Sequence, residues 1–303
     1  MNSIKLPRTI QIGGKGQVKK LTLGGTSPIL LQTMWKESLL GADLLSIVKS
    51  LNELKQLGCD IVRFAVPDMD SAEQFVKLTR LTEMPLVADI HFDYRLALKA
   101  IEQGIDALRL NPGNIGSAEN VRRVAEAAKA HGIPIRIGVN AGSLDKRLLE
   151  KHGGVTAEAL VESALEHVRL LEEQDFHDMK ISLKAHDVPL TLAAYRLMSE
   201  RCDYPLHLGI TEAGTVRSGI VKSAVGIGAL LAEGIGDTLR VSLTGDPVVE
   251  VRVAREILKA LGLCDFGPTL ISCPTCGRTA IDLPSIAERV EERLSGIAQP
   301  IHV

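Results

Sequence analysis

The stretch Pro134-Ile135-Arg136-Ile137-Gly138-Val139-Asn140 sets one arginine among aliphatic residues. Side chains of a β-strand alternate between two faces. Ile135, Ile137 and Val139 therefore share one face, and Arg136, Gly138 and Asn140 share the other. Three further runs repeat the pattern: Ile61-Val62-Arg63-Phe64, Ala107-Leu108-Arg109-Leu110 and Thr238-Leu239-Arg240-Val241. Leu108 and Leu110 oppose Arg109 and Asn111, while Leu239, Val241 and Leu243 oppose Arg240, Ser242 and Thr244. Several strands thus place cationic and polar groups on the same side of one sheet. Buried charge is costly unless paired, so carboxylates or an anionic ligand must meet these guanidiniums.

Around these runs, strand-like segments alternate with helical patterns. Strands are expected at 29–34, 61–65, 86–89, 107–110, 134–139, 179–183, 206–209 and 238–243. Leu160, Val161, Ala164, Leu165, Val168 and Leu171 recur at helical spacing after Thr156. Val121, Val124, Ala125 and Ala128 form another stripe behind an N-cap at Ser117. Asp246-Pro247 is a helix start, cap then proline at the first helical position. Strand–helix alternation implies parallel strands, and eight units over roughly 250 residues match an α/β fold of the (β/α)8 TIM-barrel type. The alternative is a doubly wound open sheet, but no GxGxxG follows the first strand. Gly24-Gly25 reads as a hairpin turn.

A barrel of this kind carries its site at the C-terminal ends of the strands. Those ends hold Gln32 and Met34, Arg63 with Asp68, Asp89 and His91, Arg109 and Asn111, Arg136 and Asn140, Lys184 and His186, Thr211 and Glu212, and Arg240 and Ser242. Asp89 and Glu212 could neutralise two of the arginines, whereas Asp68 falls in a loop. Cations still exceed acids, and a phosphorylated or diphosphate ligand would close the balance, because guanidinium forks suit phosphate oxygens. Asn111-Pro112-Gly113-Asn114-Ile115-Gly116 leads into a helix N-terminus whose N–H groups can hold an anion. His91 shares a face with Asp89 and could serve as an acid/base group or a clamp. His207, beside Gly209, reads as structural.

The bulk numbers narrow the classes. The chain has 303 residues, 45% hydrophobic, enough for one large domain or two ordinary ones. A net charge of −2 and 3% aromatics argue against a nucleic-acid surface. No apolar run reaches the roughly 18–20 residues of a membrane span, and residues 1–20 lack the apolar core of a signal peptide, so a cytoplasmic protein is expected. Five cysteines do not suggest a disulfide framework. Cys59, Cys202 and Cys264 sit among apolar or helical neighbours. Cys273-Pro274-Thr275-Cys276 has three readings: a redox dithiol, half of a zinc site, or part of an iron–sulfur site. Beyond it a helix is expected at 285–294 and a strand start at Ile301.

Taken together, Val87–Arg95, Leu110–Gly116, Ile135–Leu144, His207–Gly214, Gly234–Leu243 and Cys273–Cys276 resemble the 4-hydroxy-3-methylbut-2-enyl diphosphate synthase family, iron–sulfur enzymes of the methylerythritol phosphate route to isoprenoids. The resemblance implies a TIM barrel over 1–265 and the start of a small α/β iron–sulfur domain over 266–303. It implies a two-electron reductive ring opening and dehydroxylation of 2-C-methyl-D-erythritol 2,4-cyclodiphosphate, with electrons from flavodoxin or ferredoxin. Carried over by motif, Arg63, Arg109, Arg136, Lys184, Arg240 and Ser242 hold the diphosphate. Asp89, His91, Asn111, Asn140 and Glu212 line the carbon skeleton, with Glu212 or His91 moving protons. Cys273 and Cys276 are ligands of a [4Fe–4S] cluster, and a homodimer is expected. The family's third cysteine and glutamate ligand lie beyond the point where this sequence stops, so two of the expected ligands are in this chain and its activity alone is open. The family's Thr/Asn-rich first βα loop reads here Gln32-Thr33-Met34-Trp35-Lys36-Glu37-Ser38.

Overall fold

The computed structural model describes residues 6–294 and 296–303. Two short strands, β1 (Ile10–Ile12) and β2 (Leu21–Leu23), pair antiparallel before the main sheet begins. Eight parallel strands follow: β3 (Leu30–Met34), β4 (Ile61–Ala65), β5 (Leu86–Asp89), β6 (Ala107–Arg109), β7 (Ile135–Asn140), β8 (Met179–Lys184), β9 (His207–Leu208) and β10 (Thr238–Leu239). Their spatial order is β8-β7-β6-β5-β4-β3-β10-β9. A parallel bridge between Ile181 and Leu206, with the Ile181 N–H donating to the Pro205 carbonyl at 2.9 Å, joins β8 to the β9 edge and closes the ring. The chain is a (β/α)8 barrel. The ladders of β9 and β10 are shorter than the apolar runs that announced them, because Gly209 and Arg240 onward leave the ladder to line the mouth.

Helices return the chain between strands and begin on short polar side chains. Asp43 caps α1 (Leu44–Gln56), Asp68 caps α2 (Met69–Thr79) and Asp93 caps α3 (Tyr94–Glu102). Ser117 caps α4 (Ala118–His131), and Asp145 caps α5 (Lys146–His152). Thr156 caps α6 (Ala157–Glu172) and Asp187 caps α7 (Val188–Arg201). Helix α8 spans Val216–Ala232, and α9 (Pro247–Ala260) starts on the Asp246 carboxylate. Each such oxygen satisfies a first-turn N–H that would otherwise have no partner.

The strands sort their side chains into two apolar clusters. Leu31, Val62, Phe64, Ala88, Leu108, Ile135, Ile181, Leu208 and Leu239 face outward and pack under the helices. Leu30, Ile61, Val87 and Ala107 face inward and pack on Ile10, Ile12, Leu21 and Leu23 of the hairpin. The hairpin thus floors the barrel with apolar side chains. Its turn lies between Ile12 and Leu21. Gly24-Gly25, expected to be a hairpin turn, instead follows β2: Gly24 at φ +82° carries the bend toward β3, and a Cβ there would sit 2.2 Å from the Arg8 carbonyl oxygen.

After α9, residues 266–271 run beside 298–303, with Thr269 and Ile271 N–H groups donating to the Ile301 and Val303 carbonyls at 2.8 Å each. The strand expected at Ile301 is a single bridge, Thr269 to His302. Helix α10 (Leu283–Leu294) lies between the two segments. The Arg255 guanidinium stacks 3.7 Å above the Phe266 ring and ties this segment to α9.

Leu23→Ala opens a cavity where hairpin and barrel floor meet, and Leu23 is fully buried. A loss of about 2–5 kcal/mol of stability is expected, read as a lower urea midpoint with unchanged slope.

Candidate active site

The inward face changes character two residues above the floor. Along each strand, positions i and i+2 share a face, so Gln32, Arg63, Asp89 and Arg109 stand directly above Leu30, Ile61, Val87 and Ala107. Register extends the ring: Asp89 pairs with Arg109, Arg109 with Arg136, Arg136 with Lys180, and Asn140 with Lys184. On β9 and β10, His207 pairs with Thr238, and Arg240 follows on the same face. The lumen therefore holds Arg63, Arg109, Arg136, Lys180, Lys184 and Arg240, where most barrels hold aliphatic layers.

Two buried carboxylates answer these cations. Asp89 Oδ1 accepts from Arg109 Nη1 at 3.1 Å, and Oδ2 lies 3.3 Å from Arg63 Nε. His91 stands above them, its ring nitrogens 3.1 and 3.2 Å from Arg109 Nη1 and Nε2 3.5 Å from Asp89. Burial pushes the Asp89 carboxyl up, but Arg63, His91, Arg109 and Arg136 together outweigh it and hold the group well below the usual carboxylate range. Glu250 of α9, 1% exposed, is the second acid. It accepts from the Thr33 hydroxyl at 2.8 Å and the Leu243 N–H at 3.0 Å, and lies 2.9 Å from Lys36 Nζ and 3.7 Å from Arg240 Nε.

The remaining positive charge is under-served. Arg63 Nη2 meets only the Met34 sulfur at 2.9 Å, a weak acceptor that Arg240 Nη1 shares at 3.6 Å. Arg136 Nε and Nη1, Arg109 Nε and Lys180 Nζ have no hydrogen-bond partner among the described residues. Burial, then mutual repulsion, pushes Arg136 and Lys184 well down from their ordinary values. Burial also pulls Arg63 down to about 10, although Asp89 opposes it. A guanidinium keeps its proton under these conditions, so the repulsion persists in the fold.

Two glycines make room for these side chains. A Cβ on Gly138 would lie 2.8 Å from Arg109 Nε, and one on Gly209 would lie 2.7 Å from Lys184 Nζ. The Arg109 Nη2 donates to the Gly138 carbonyl at 3.2 Å.

Among the residues expected from sequence, Arg63, Asp89, His91, Arg109, Arg136, Lys184 and Arg240 come together in and above the lumen. Asn111 turns its Oδ1 to the Gly138 N–H at 2.8 Å and locks two strands. Asn140 and Ser242 are half-buried on the inward face at the mouth. Glu212 lies after β9, exposed, with φ +51°, a left-handed backbone rare for glutamate. The acids that meet the arginines are thus Asp89 and Glu250, not Asp89 and Glu212. Asp68 is spent on the α2 cap, accepting from the Ser71 N–H at 2.7 Å. Sequence reasoning missed Glu250 and Lys180. Both left a signal: Glu250 interrupts the buried stripe of Ala254 and Ile257, and Lys180 alternates with Ser182 and Lys184.

Cys273 and Cys276 are exposed on an irregular segment. Hydrogen bonds from the Arg278 backbone and side chain pull the Cys276 thiol down. No group of three His, Cys, Asp or Glu side chains gathers to hold a metal among the described residues. A four-iron cluster takes about four donors, so these two thiols alone do not fit one.

Fold and lumen define a (β/α)8-barrel protein whose strands end in a cation-rich, anion-receiving cage. Residues 14–255 match the family described as the GcpE TIM-barrel domain. A protein of Caldanaerobacter subterraneus subsp. tengcongensis named 4-hydroxy-3-methylbut-2-en-1-yl diphosphate synthase (flavodoxin) is 58% identical over 99% of this chain and 82% of its own. One of the same name from Treponema denticola is 56% identical over 97% of this chain and 81% of its own. The chain belongs to this synthase family. Among solved structures, the Yersinia pestis dihydropteroate synthase superposes with a TM-score of 0.59 at 10% identity, over 84% of this chain and 97% of that one, a likeness of fold alone.

Asp89→Asn leaves Arg63 and Arg109 facing a neutral amide, and breaking a buried pair costs about 3–5 kcal/mol. A depressed carboxyl stabilises the fold above its unfolded value near ~4 and loses that contribution as pH falls toward its folded value. The stability gap between wild type and Asp89→Asn in urea unfolding is therefore expected to be full at pH 7 and to narrow below pH ~4.

Proposed function

We propose that this chain binds 2-C-methyl-D-erythritol 2,4-cyclodiphosphate at the barrel mouth for its two-electron reductive ring opening and dehydroxylation to 4-hydroxy-3-methylbut-2-enyl diphosphate, an isoprenoid precursor. The observation that carries this reading is the set of buried guanidinium donors in the lumen that have no hydrogen-bond partner among the described residues. Removing charge from water costs several kcal/mol per ion, and a ligand with two phosphate charges relieves that cost on binding. Forked Arg63, Arg109, Arg136 and Arg240, with Lys184 and Ser242, form the diphosphate grip. Asp89 stays ionised between two guanidiniums and therefore orients Arg109 and His91 and holds no proton to give. His91 and Glu212, at the open rim, are the groups able to move protons on the carbon skeleton, which Asn111 and Asn140 border.

The relatives' name gives flavodoxin as electron donor, and this chain is read as drawing on flavodoxin or ferredoxin. Residues 266–303 are read as the start of a cluster domain, with Cys273 and Cys276 as two ligands of a [4Fe–4S] cluster whose donor set they do not complete. A homodimer, in which the rim of one barrel meets the cluster segment of another, suits this incomplete set. No helix of the described residues is long and apolar enough to cross a membrane, in keeping with a cytoplasmic site of action. A non-redox transferase is less well supported: the pterin enzyme shares only the fold, and such a reading gives the cysteine pair no task.

Arg136 offers the cleanest test, because no described carboxylate pairs with it and its removal strands no acid. In calorimetric titration, Arg136→Met should weaken binding of the cyclic diphosphate about 100-fold or more. The same change should leave stability unchanged or raise it by about 1 kcal/mol, since it deletes an uncompensated buried charge. Wild-type protein that fails to bind the cyclic diphosphate, or a variant that binds it equally well, would end this reading.

A further inference from the structure

Lys180 has no task in the function proposed above. It stands in the lumen on β8, one register pair from Arg136, and is 3% exposed. Its Nζ finds no hydrogen-bond partner among the described residues. Its level of the barrel holds other unmatched polar atoms: both ends of the Gln32 amide and Nε2 of His207, whose Nδ1 is engaged by the Thr238 hydroxyl at 2.7 Å. The charged groups that act on Lys180 are Arg136 from β7, Arg63 from β4 and Asp237 ahead of β10. Higher in the lumen stand Lys184, Arg109, Arg240 and Asp89. Asp237 is committed elsewhere, its Oδ2 accepting from the Leu206 N–H at 2.7 Å. A strongly basic amine is thus buried beside Arg136 and near Arg63, with no acid in hydrogen-bond contact among the described residues.

We propose that Lys180 is a positioning residue that gives up its proton readily in the ligand-free barrel and takes one up when the diphosphate settles above it, so that ligand capture is coupled to proton uptake. This rests on the diphosphate reading of the cage. Arg136, its register partner, and Arg63 act on Lys180 as like charges, and arginines cannot shed a proton. A lysine can, and buried lysines do so readily; Lys184, pushed well down by burial and the same arginines, shares this property but stands in the ligand grip, so variants at Lys180 isolate the share that Lys180 contributes. Burial first, then repulsion from Arg136, lowers the Lys180 ammonium to about 7, against the pull of Asp237. His207, from β9, is pushed well below its ordinary value by burial and then by Lys184, Arg136 and Lys180, and stays neutral across the same range. A bound dianion reverses the local field and favours the ammonium. The ligand does not supply the titration: ionisation near pH 6 belongs to phosphate monoesters, whereas each phosphorus of a cyclic diphosphate keeps one strongly acidic oxygen. A charged Lys180 then backs Arg136 from below and adds to the hold on the ligand.

Calorimetry of the full chain with the cyclic diphosphate, in buffers of different ionisation enthalpy, reads the protons directly. Uptake should be small at pH 6 and rise toward pH 8, and affinity should fall as pH rises, by at most about tenfold per pH unit for one proton. Lys180→Met, permanently neutral, and Lys180→Arg, permanently charged, should each lower uptake by the share of Lys180, leaving at most that of Lys184, and make the pH profile shallower; circular dichroism checks that both are folded, and either one suffices. His207→Gln should retain uptake. Binding without uptake in the wild type at pH 8, uptake undiminished in Lys180→Met and Lys180→Arg, or uptake lost only in His207→Gln overturns the assignment. Absence of any binding by the wild type, in every buffer, overturns the diphosphate reading itself and this inference with it.

Discussion

One carboxylate, Asp89, lies between the guanidiniums of Arg63 and Arg109 at 3.3 and 3.1 Å, and the lumen still holds four more cations around it. Charges taken out of water must be paired or they oppose folding. This barrel pairs some and leaves others exposed to one another. Glu250 answers Arg240 and Lys36 from the helix side of the wall, while Arg136 Nε and Nη1 and Lys180 Nζ have no hydrogen-bond partner among the described residues. The imbalance is confined to the inward face above the hairpin, so the outward apolar cluster is free to stabilise the fold. Stability and binding are divided between the two faces of the same strands.

The division depends on closure. In an open sheet the inward face would be covered by helices, and a row of arginines there would meet apolar side chains. Closing β8 against β9 turns that face into a narrow lumen in which the cations meet each other and the Asp89 carboxylate. The N-terminal hairpin completes the arrangement by sealing the lower end with Ile10, Ile12, Leu21 and Leu23. The polar part of the lumen then opens at the end where the parallel strands finish. Gly138 and Gly209 leave room in the lumen for the Arg109 and Lys184 side chains, which a Cβ at either position would crowd.

Much of this was legible in the chain. Period-two alternation around Arg63, Arg109, Arg136 and Arg240 gave both the strands and the shared polar face, and the caps at Ser117 and Asp246 marked two helix starts. Lys180 carried the same alternation and went unread because attention fell on strand ends, whereas it sits lower in the lumen. Glu250 was hidden because an acid in the first turn of a helix usually serves the helix dipole in solvent; here its helix turns it into the barrel wall. The Asn111 Oδ1 accepts from the Gly138 N–H, a bond between neighbouring strands that local spacing does not announce. The hairpin floor was missed because residues 10–23 are short strands in a polar, glycine-rich stretch whose apolar positions gain meaning only against the barrel's lower end.

By itself, the sequence determined the alternation of strand and helix, the parallel barrel it implies, the cationic inner face and the presence of a paired-cysteine segment, because each of these is written in local spacing and residue type. Tertiary structure alone decided which acid meets which arginine, which cations go unanswered, what seals the lower end and how Glu212 is strained at the rim. Those facts depend on distances between residues far apart in the chain, and electrostatic energy is set by distance and burial, neither of which local spacing contains.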